Sequence, residues 1–103
     1  MTADSITVTD NPEAQRFEAV VDGHTAFAEY RLIKGSIMFT HTEVPQALGG
    51  RGIGSALVKA GLKAAREREL KVMPVCPFFS AYFGKHPEER DLLHPSYRIA
   101  LGL

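Results

Sequence analysis

A cluster of glycines followed at once by a helical pattern is the part of this sequence best suited to chemistry. The segment LGGRGIGSALV, residues 48–58, alternates glycine with larger side chains: Gly50, Arg51, Gly52, Ile53 and Gly54. Glycine lets other groups approach the backbone closely, and the amides that begin a helix attract anions. The loop therefore predicts either a tight turn or a phosphate site, at which Arg51 would add one positive charge.

Two familiar phosphate-binding motifs do not fit this loop. The stretch from Gly49 to Ser55 has P-loop spacing but lacks the P-loop lysine. A dinucleotide fingerprint that begins at Gly50 would need a third glycine where Ser55 stands. What remains is an anion site made of backbone amides and the helix dipole, or a plain turn between a strand and a helix.

The elements before the loop read as strands joined by tight turns. Asp22-Gly23 is a strong hairpin signal, and Lys34-Gly35 marks a second turn. The three strands are predicted over residues 16–22, 25–33 and 36–44. They form an antiparallel meander, to which residues 5–10 add an edge strand within the N-terminal segment 1–14.

The elements after the loop alternate between helix and strand. The pattern predicts a helix over 51–68, a short buried strand over 71–76 and a second, shorter helix over 78–86. Strand, helix and strand in this order imply a right-handed crossover between two parallel strands. The tail, residues 94–103, fits either a strand or an irregular docked end.

The strand over 36–44 carries candidate polar groups near its end. Alternation assigns Ile37, Phe39, His41 and Glu43 to one face, and Met38, Thr40, Thr42 and Val44 to the other. His41 and Glu43 are then spaced to act around one substrate, with His41 as a base. The alternatives are a half-exposed strand histidine and a solvated carboxylate, and the threonines also suit a strand by propensity alone.

Composition narrows the class of protein. The chain has 103 residues, so we expect one domain over 1–103. Basic and acidic side chains are equal in number, so we expect no general electrostatic attraction to nucleic acid. We see no signal peptide and no membrane-spanning segment, and expect a cytoplasmic protein. A single cysteine, Cys76, excludes an internal disulfide, and the histidines show no metal-ligand spacing.

Two stretches together resemble a known family. HTEVPQALGGRGIGSALV, followed by KVMPVCPFFSAYFGKHPE, is similar to the minimal, roughly hundred-residue branch of the GNAT N-acetyltransferases, a likeness that covers about residues 15–93. The resemblance implies an α/β (α+β) fold with a mixed sheet. It also implies that Thr42 and Val44 pair their backbone with the pantetheine arm of acetyl-CoA. The loop would bind the pyrophosphate through Gly50, Arg51, Gly52, Ile53, Gly54 and Ser55, although Gly49 stands where the family usually has Gln or Arg.

The same resemblance implies catalytic roles. A cysteine matching Cys76 lies near the acetyl group in the minimal branch, where it either carries the acetyl group or lines the pocket; the alternative is a buried, inert cysteine. A free thiol is only a few per cent thiolate at neutral pH, so a nucleophilic Cys76 would need activation, for which His41 is one candidate. Tyr82 matches a tyrosine that returns a proton to the departing coenzyme, unless it serves core packing.

The function that this implies is transfer of an acetyl group from acetyl-CoA to an amine by direct attack. The chain lacks the helices that cover the acceptor side in larger members, which would admit a protein or peptide amine. It would act as a monomer or a weak homodimer. The chief alternative is a module that binds or senses acyl-CoA with little turnover.

Overall fold

The computed structural model describes residues 6–103 and shows a five-stranded mixed sheet with helices packed against it. The strands lie in the order β1-β2-β3-β4-β5. Their bounds are β1 Thr9–Asn11, β2 Arg16–Val21, β3 His24–Ile33, β4 Ser36–Glu43 and β5 Lys71–Pro74. The helices are α1 Ile53–Glu67, α2 Pro77–Lys85 and α3 Pro95–Ala100, with 3₁₀ helices at Gln46–Leu48 and Pro87–Leu92.

The antiparallel meander forms as the sequence predicts. β1 to β4 pair in sequence order, and the hairpin between β2 and β3 turns at Asp22 and Gly23, whose φ angles are 50° and 78°. Gly35, at φ 75°, makes the next turn. The edge strand is shorter than predicted, since it begins at Thr9; Ser5, the first residue of the prediction, lies outside the described residues.

The predicted crossover is also present. β5 pairs with β4 in parallel, from Ser36 opposite Lys71 to Phe39 opposite Pro74, and α1 connects the two strands. The parallel pairing stops two residues earlier than predicted. Beyond Pro74, the amides of Val75 and Cys76 both donate to the carbonyl of Phe39, at 3.1 and 3.0 Å. That shared acceptor marks the point where β4 and β5 separate.

Aromatic side chains and one glycine form the contact by which α1 and α2 pack against the sheet. The Phe39 and Phe79 rings are fully buried and stacked, with centroids 3.9 Å apart. A Cβ added at Gly61 of α1 would lie 2.8 Å from the Phe39 ring and 3.1 Å from the Phe79 ring. The missing side chain therefore lets α1 pack closely on the stacked pair. No helix within residues 6–103 is long and apolar enough to cross a membrane.

The tail differs from both alternatives that the sequence left open, because most of it is a helix. The His94 side chain accepts a hydrogen bond from the Ser96 amide at 3.2 Å, and Pro95 occupies the first helical position. Both features favour a helix start. Only Leu93, just before the helix, adds a strand-like bridge, to Val72 of β5.

Because of one buried tyrosine, we expect the protein to become less stable at alkaline pH. Burial, and a 2.7 Å hydrogen bond from the Tyr30 hydroxyl to Asp10, raise the pKa of Tyr30 to about 12. An unfolded tyrosine has a pKa near 10, so between these values the unfolded chain loses a proton that the folded protein keeps. We expect the free energy of unfolding to fall by about 2 kcal/mol from about pH 9.5 to about pH 11.5. Urea unfolding at both pH values measures the loss, and Tyr30→Phe must reduce it.

Candidate functional site

A bulge in β4 sets the direction of every side chain near the strand end. In the pairing of β3 with β4, Tyr30 lies opposite Phe39 and Glu29 lies opposite His41, so β4 carries one extra residue, Thr40. A bulge of this kind shifts the following residues to the opposite faces of the sheet. The alternation that predicted one common face for Phe39, His41 and Glu43 is therefore wrong.

The consequence is a new pair of neighbours at the site. Thr42 now points inward, and its Oγ1 lies 3.1 Å from the Cys76 Sγ, a hydrogen bond in which either atom can donate. Cys76 is buried, with 3% of its surface exposed. His41 and Glu43 still share one face, as predicted, but it is the exposed face. The structure thus brings Thr42, rather than His41, to the thiol.

The glycine loop presents a run of unbonded amides. Leu48 is buried and anchors the start of the loop, while Gly50 and Gly52 take φ angles of 77° and 76°. Gly52 caps α1, whose first hydrogen bond joins the Ala56 amide to the Gly52 carbonyl. In the described part of the chain, no hydrogen bond is donated by the backbone amides of residues 50–55. These amides form the concave donor set that a bound anion requires.

An open strand edge lies beside these amides. β5 pairs only with the first half of β4, so within the described residues the segment 40–43 has no parallel neighbour. A cleft of about 410 Å³ begins at Val44, directly after β4, and continues along the loop. Its lining residues are Val44, Pro45, Gln46, Leu48, Gly49, Gly50, Gly52, Ile53, Gly54, Ser55 and Phe78.

Phe78 closes one side of this cleft. A Cβ added at Gly54 would lie 2.6 Å from the Phe78 ring, so the aromatic ring rests directly on the glycine backbone. The Phe78 side chain nevertheless remains 44% exposed. Phe78 therefore forms a wall of the cleft, at a position that the sequence did not indicate.

Arg51 is held by the hairpin between β2 and β3. Its Nη1 donates to the Asp22 carboxylate at 2.5 Å, and this hydrogen bond lowers the pKa of Asp22. Both side chains are exposed, so an anion at the loop would have to compete with Asp22 for the guanidinium. The strand hairpin and the glycine loop, distant in sequence, therefore meet at the rim of the cleft.

Tyr82 lies in a second cleft, between α1 and α2. Its ring stacks on His86 with centroids 3.9 Å apart, and burial raises the pKa of its hydroxyl. The cleft that it lines begins at Gly54 and Ser55, at the start of α1. The structure therefore places Tyr82 in a cleft that reaches the glycine loop.

Comparison with known proteins agrees with this arrangement. A family model described as GCN5-related N-acetyl-transferase matches residues 16–92, a span that contains the meander, the glycine loop, Cys76 and α2. The chain belongs to the GCN5-related N-acetyltransferase family. The fold and the family expected from the two sequence stretches are thus confirmed.

Individual relatives show the extent of the likeness. Protein NATD1 of Xenopus tropicalis is 31% identical over 86 residues, which cover 81% of this chain and 79% of the frog protein. NATD1 of Gallus gallus is 41% identical over 54 residues, a match that spans 52% of this chain and about half, 49%, of the chicken protein. The solution structure of a GCN5-like candidate N-acetyltransferase from Staphylococcus aureus superposes with a TM-score of 0.68 at 28% identity, covering 85% of this chain and 87% of that one.

Proposed function

We propose that this protein transfers an acetyl group from acetyl-CoA to an amine. The observation that carries the proposal is the run of unbonded amides over residues 50–55, at the start of α1 and next to the free edge of β4. An acyl-thioester coenzyme with a diphosphate needs an anion cradle and an extended groove. This chain has both at the same end of the sheet.

The residues present fit such a coenzyme. The positive φ of Gly52 turns the backbone into the start of α1, so that the following amides face the cleft and the positive end of the helix dipole adds to them. Val44 and the open edge of β4 supply backbone groups for an amide-containing arm. Gly49, which lacks a long polar side chain, leaves the backbone and Arg51 as the diphosphate contacts.

The reaction requires a group that removes a proton from the amine and a source that returns a proton to the departing sulfur. Acetyl-CoA supplies a thioester carbonyl, at which a carbon–nitrogen bond to the amine forms while the carbon–sulfur bond breaks. An amine can attack only after it has lost its proton, so a nearby base is required. His41 and Glu43 stand on the exposed face of β4 next to the open edge, and we assign them the proton taken from the amine. Solvent returns a proton to the released sulfur.

The exposure of His41 and Glu43 also indicates the acceptor. Both side chains lie at the surface rather than at the base of an enclosed cavity. Phe27 of β3 lies opposite Glu43 and next to His41. The centroids of the Phe27 and His41 rings are 6.0 Å apart. An acceptor amine therefore need not fit a pocket, which favours a side-chain or terminal amine of a protein or peptide.

Tyr82 serves this reaction as a wall of the coenzyme site. Its ring packs on His86 and lines the cleft between α1 and α2. If this is its role, Tyr82→Phe keeps the turnover number and changes only the Michaelis constant for acetyl-CoA. A large fall in the turnover number would instead assign Tyr82 the return of a proton to sulfur.

The experiment that tests the function follows acetyl transfer and release of free coenzyme A with a panel of amines and lysine-containing peptides. We expect turnover with at least one class of amine and saturable dependence on acetyl-CoA. His41→Ala and Glu43→Ala, made separately, identify the base through the pH profile of the rate. Saturable binding of acetyl-CoA without turnover on any amine would favour a binding or sensing module instead.

We expect direct attack on the thioester, with no acetyl group carried by Cys76. The hydrogen-bond partner of the thiol in the described chain is the uncharged Thr42 hydroxyl, whereas a nucleophilic cysteine needs a base or a cation beside it. Cys76→Ala should therefore lower turnover by less than about tenfold. Mass spectrometry of the protein after incubation with acetyl-CoA should find Cys76 unmodified. An acetyl group on Cys76 that passes to added amine would establish the covalent route.

A further inference from the structure

A second cleft continues from the glycine loop along the groove between α1 and α2. Its volume is about 330 Å³. It shares Gly54, Ser55 and Phe78 with the loop cleft, so the two form one path around the Phe78 ring. The remaining walls are Val58 and Lys59 of α1, and Ala81, Tyr82, Lys85 and His86 at α2.

Two lysines line this second cleft, while the carboxylates of Glu88 and Glu89 lie outside its lining but close enough to act on Tyr82. Lys59 follows Ser55 by one helical turn, about 6 Å along α1 from it, and Lys85 is the last residue of α2. Neither lysine has a carboxylate within 4 Å in the described part of the chain, and no carboxylate lines the cleft. His86 adds a third nitrogen-bearing side chain, with Nδ1 3.0 Å from the outward-lying Glu88.

The other side of the cleft is flat and aromatic. The Tyr82 and His86 rings stack in nearly parallel planes, with an angle of 18° between them. Phe78 stands at the opposite end, where the cleft meets the glycine loop. Stacked rings beside unpaired ammonium groups suit a ligand that joins a planar base to an anion.

We propose that this second cleft binds the phosphate monoester on the ribose of coenzyme A, through Lys59 and Lys85, and so selects the coenzyme over its dephospho form. The inference rests on the proposed function, because it needs the diphosphate in the adjoining loop. A phosphate monoester carries a charge between −1.5 and −2 near neutral pH, and lysine binds phosphate as a point charge. With the diphosphate on the amides of α1, the adenosine lies against the aromatic wall and its monoester reaches the two ammonium groups.

The test compares two ligands that differ only in this phosphate. Isothermal titration calorimetry at constant ionic strength measures the affinities for coenzyme A and for dephospho-coenzyme A. We expect the wild-type protein to bind dephospho-coenzyme A about tenfold more weakly, the effect of one or two charged contacts at an exposed site. In the double variant Lys59→Met/Lys85→Met, the affinity for coenzyme A should fall to that for dephospho-coenzyme A. The affinity for dephospho-coenzyme A should itself change by less than about twofold.

A lysine on the same helix supplies the control. Lys63 is exposed, lies one turn beyond Lys59 and does not line the cleft, so Lys63→Met should keep the tenfold preference. Equal wild-type affinities for the two ligands would overturn this inference and leave the proposed function standing, as would equal weakening of both ligands in the double variant. Binding of neither ligand would overturn the proposed function itself, and the inference with it.

Discussion

Replacing Gly52 with valine is expected to weaken binding of coenzyme A by at least about 30-fold, because it removes the backbone shape on which the anion cradle depends. Gly52 holds φ 76° as the N-cap of α1. A β-branched residue is a genuine outlier at such an angle, so the chain must leave it and turn the following amides away from the cleft. Calorimetry with coenzyme A measures the change.

A second glycine provides a control that distinguishes loss of coenzyme binding from a general effect of backbone strain. Gly35 has φ 75° in the turn that precedes β4, whereas the loop follows the other end of that strand. Eight strand residues separate the two by roughly 25 Å. Gly35→Val therefore incurs a similar strain, on the order of 1 to 3 kcal/mol, but should bind coenzyme A with the wild-type affinity. If folded Gly52→Val binds as tightly as the wild type, the loop does not hold the coenzyme.

Replacing Phe79 with alanine is expected to lower the free energy of unfolding by about 3 to 5 kcal/mol. The Phe79 ring is fully buried and stacked on Phe39, and Gly61 of α1 approaches the pair closely. The truncation leaves a cavity at the point where both helices meet the sheet. For a chain of this size the loss is a large part of the total stability. Urea unfolding followed by circular dichroism gives the value.

The adjacent residue provides the matched control. Phe78 lies on the same helix, but its side chain is 44% exposed, so Phe78→Ala should destabilise the protein by about 1 kcal/mol or less. Because Phe78 forms a wall of both clefts, the same substitution should weaken binding of coenzyme A. Equal destabilisation by the two variants would contradict the assignment of one ring to the core and the other to the ligand site.

Much of the fold follows from the residue types and their spacing along the sequence. Asp22-Gly23 and Lys34-Gly35 form the turns that their residue types favour, and the change from alternating to helical spacing marks the start of α1 to within two residues. The meander and the parallel crossover then follow from short connections and the usual handedness. The helix at the tail had a readable signal as well, in the proline after His94, but it was not recognised.

The candidate site was predictable where it is made of backbone. The loop over residues 50–55 combines glycine, positive φ and a helix start, and all three depend on neighbours in sequence. The side chains around it were less predictable. Phe78 lies on Gly54, and Asp22 binds Arg51 across 29 positions of the chain. A glycine that needs space indicates that something approaches it, but the sequence does not say which residue does.

By itself, the sequence determined the order of the elements, the exposed amides of the glycine loop and the family to which the chain belongs, because these depend on residue types and spacings along the chain. Only the tertiary structure decided which side chains face Cys76. One extra residue, Thr40, reverses the faces beyond it, so Thr42 reaches the thiol and His41 faces outward. A bulge arises from the pairing of two strands, and side-chain direction alternates with every residue, so a shift of a single position exchanges the inner and outer sets.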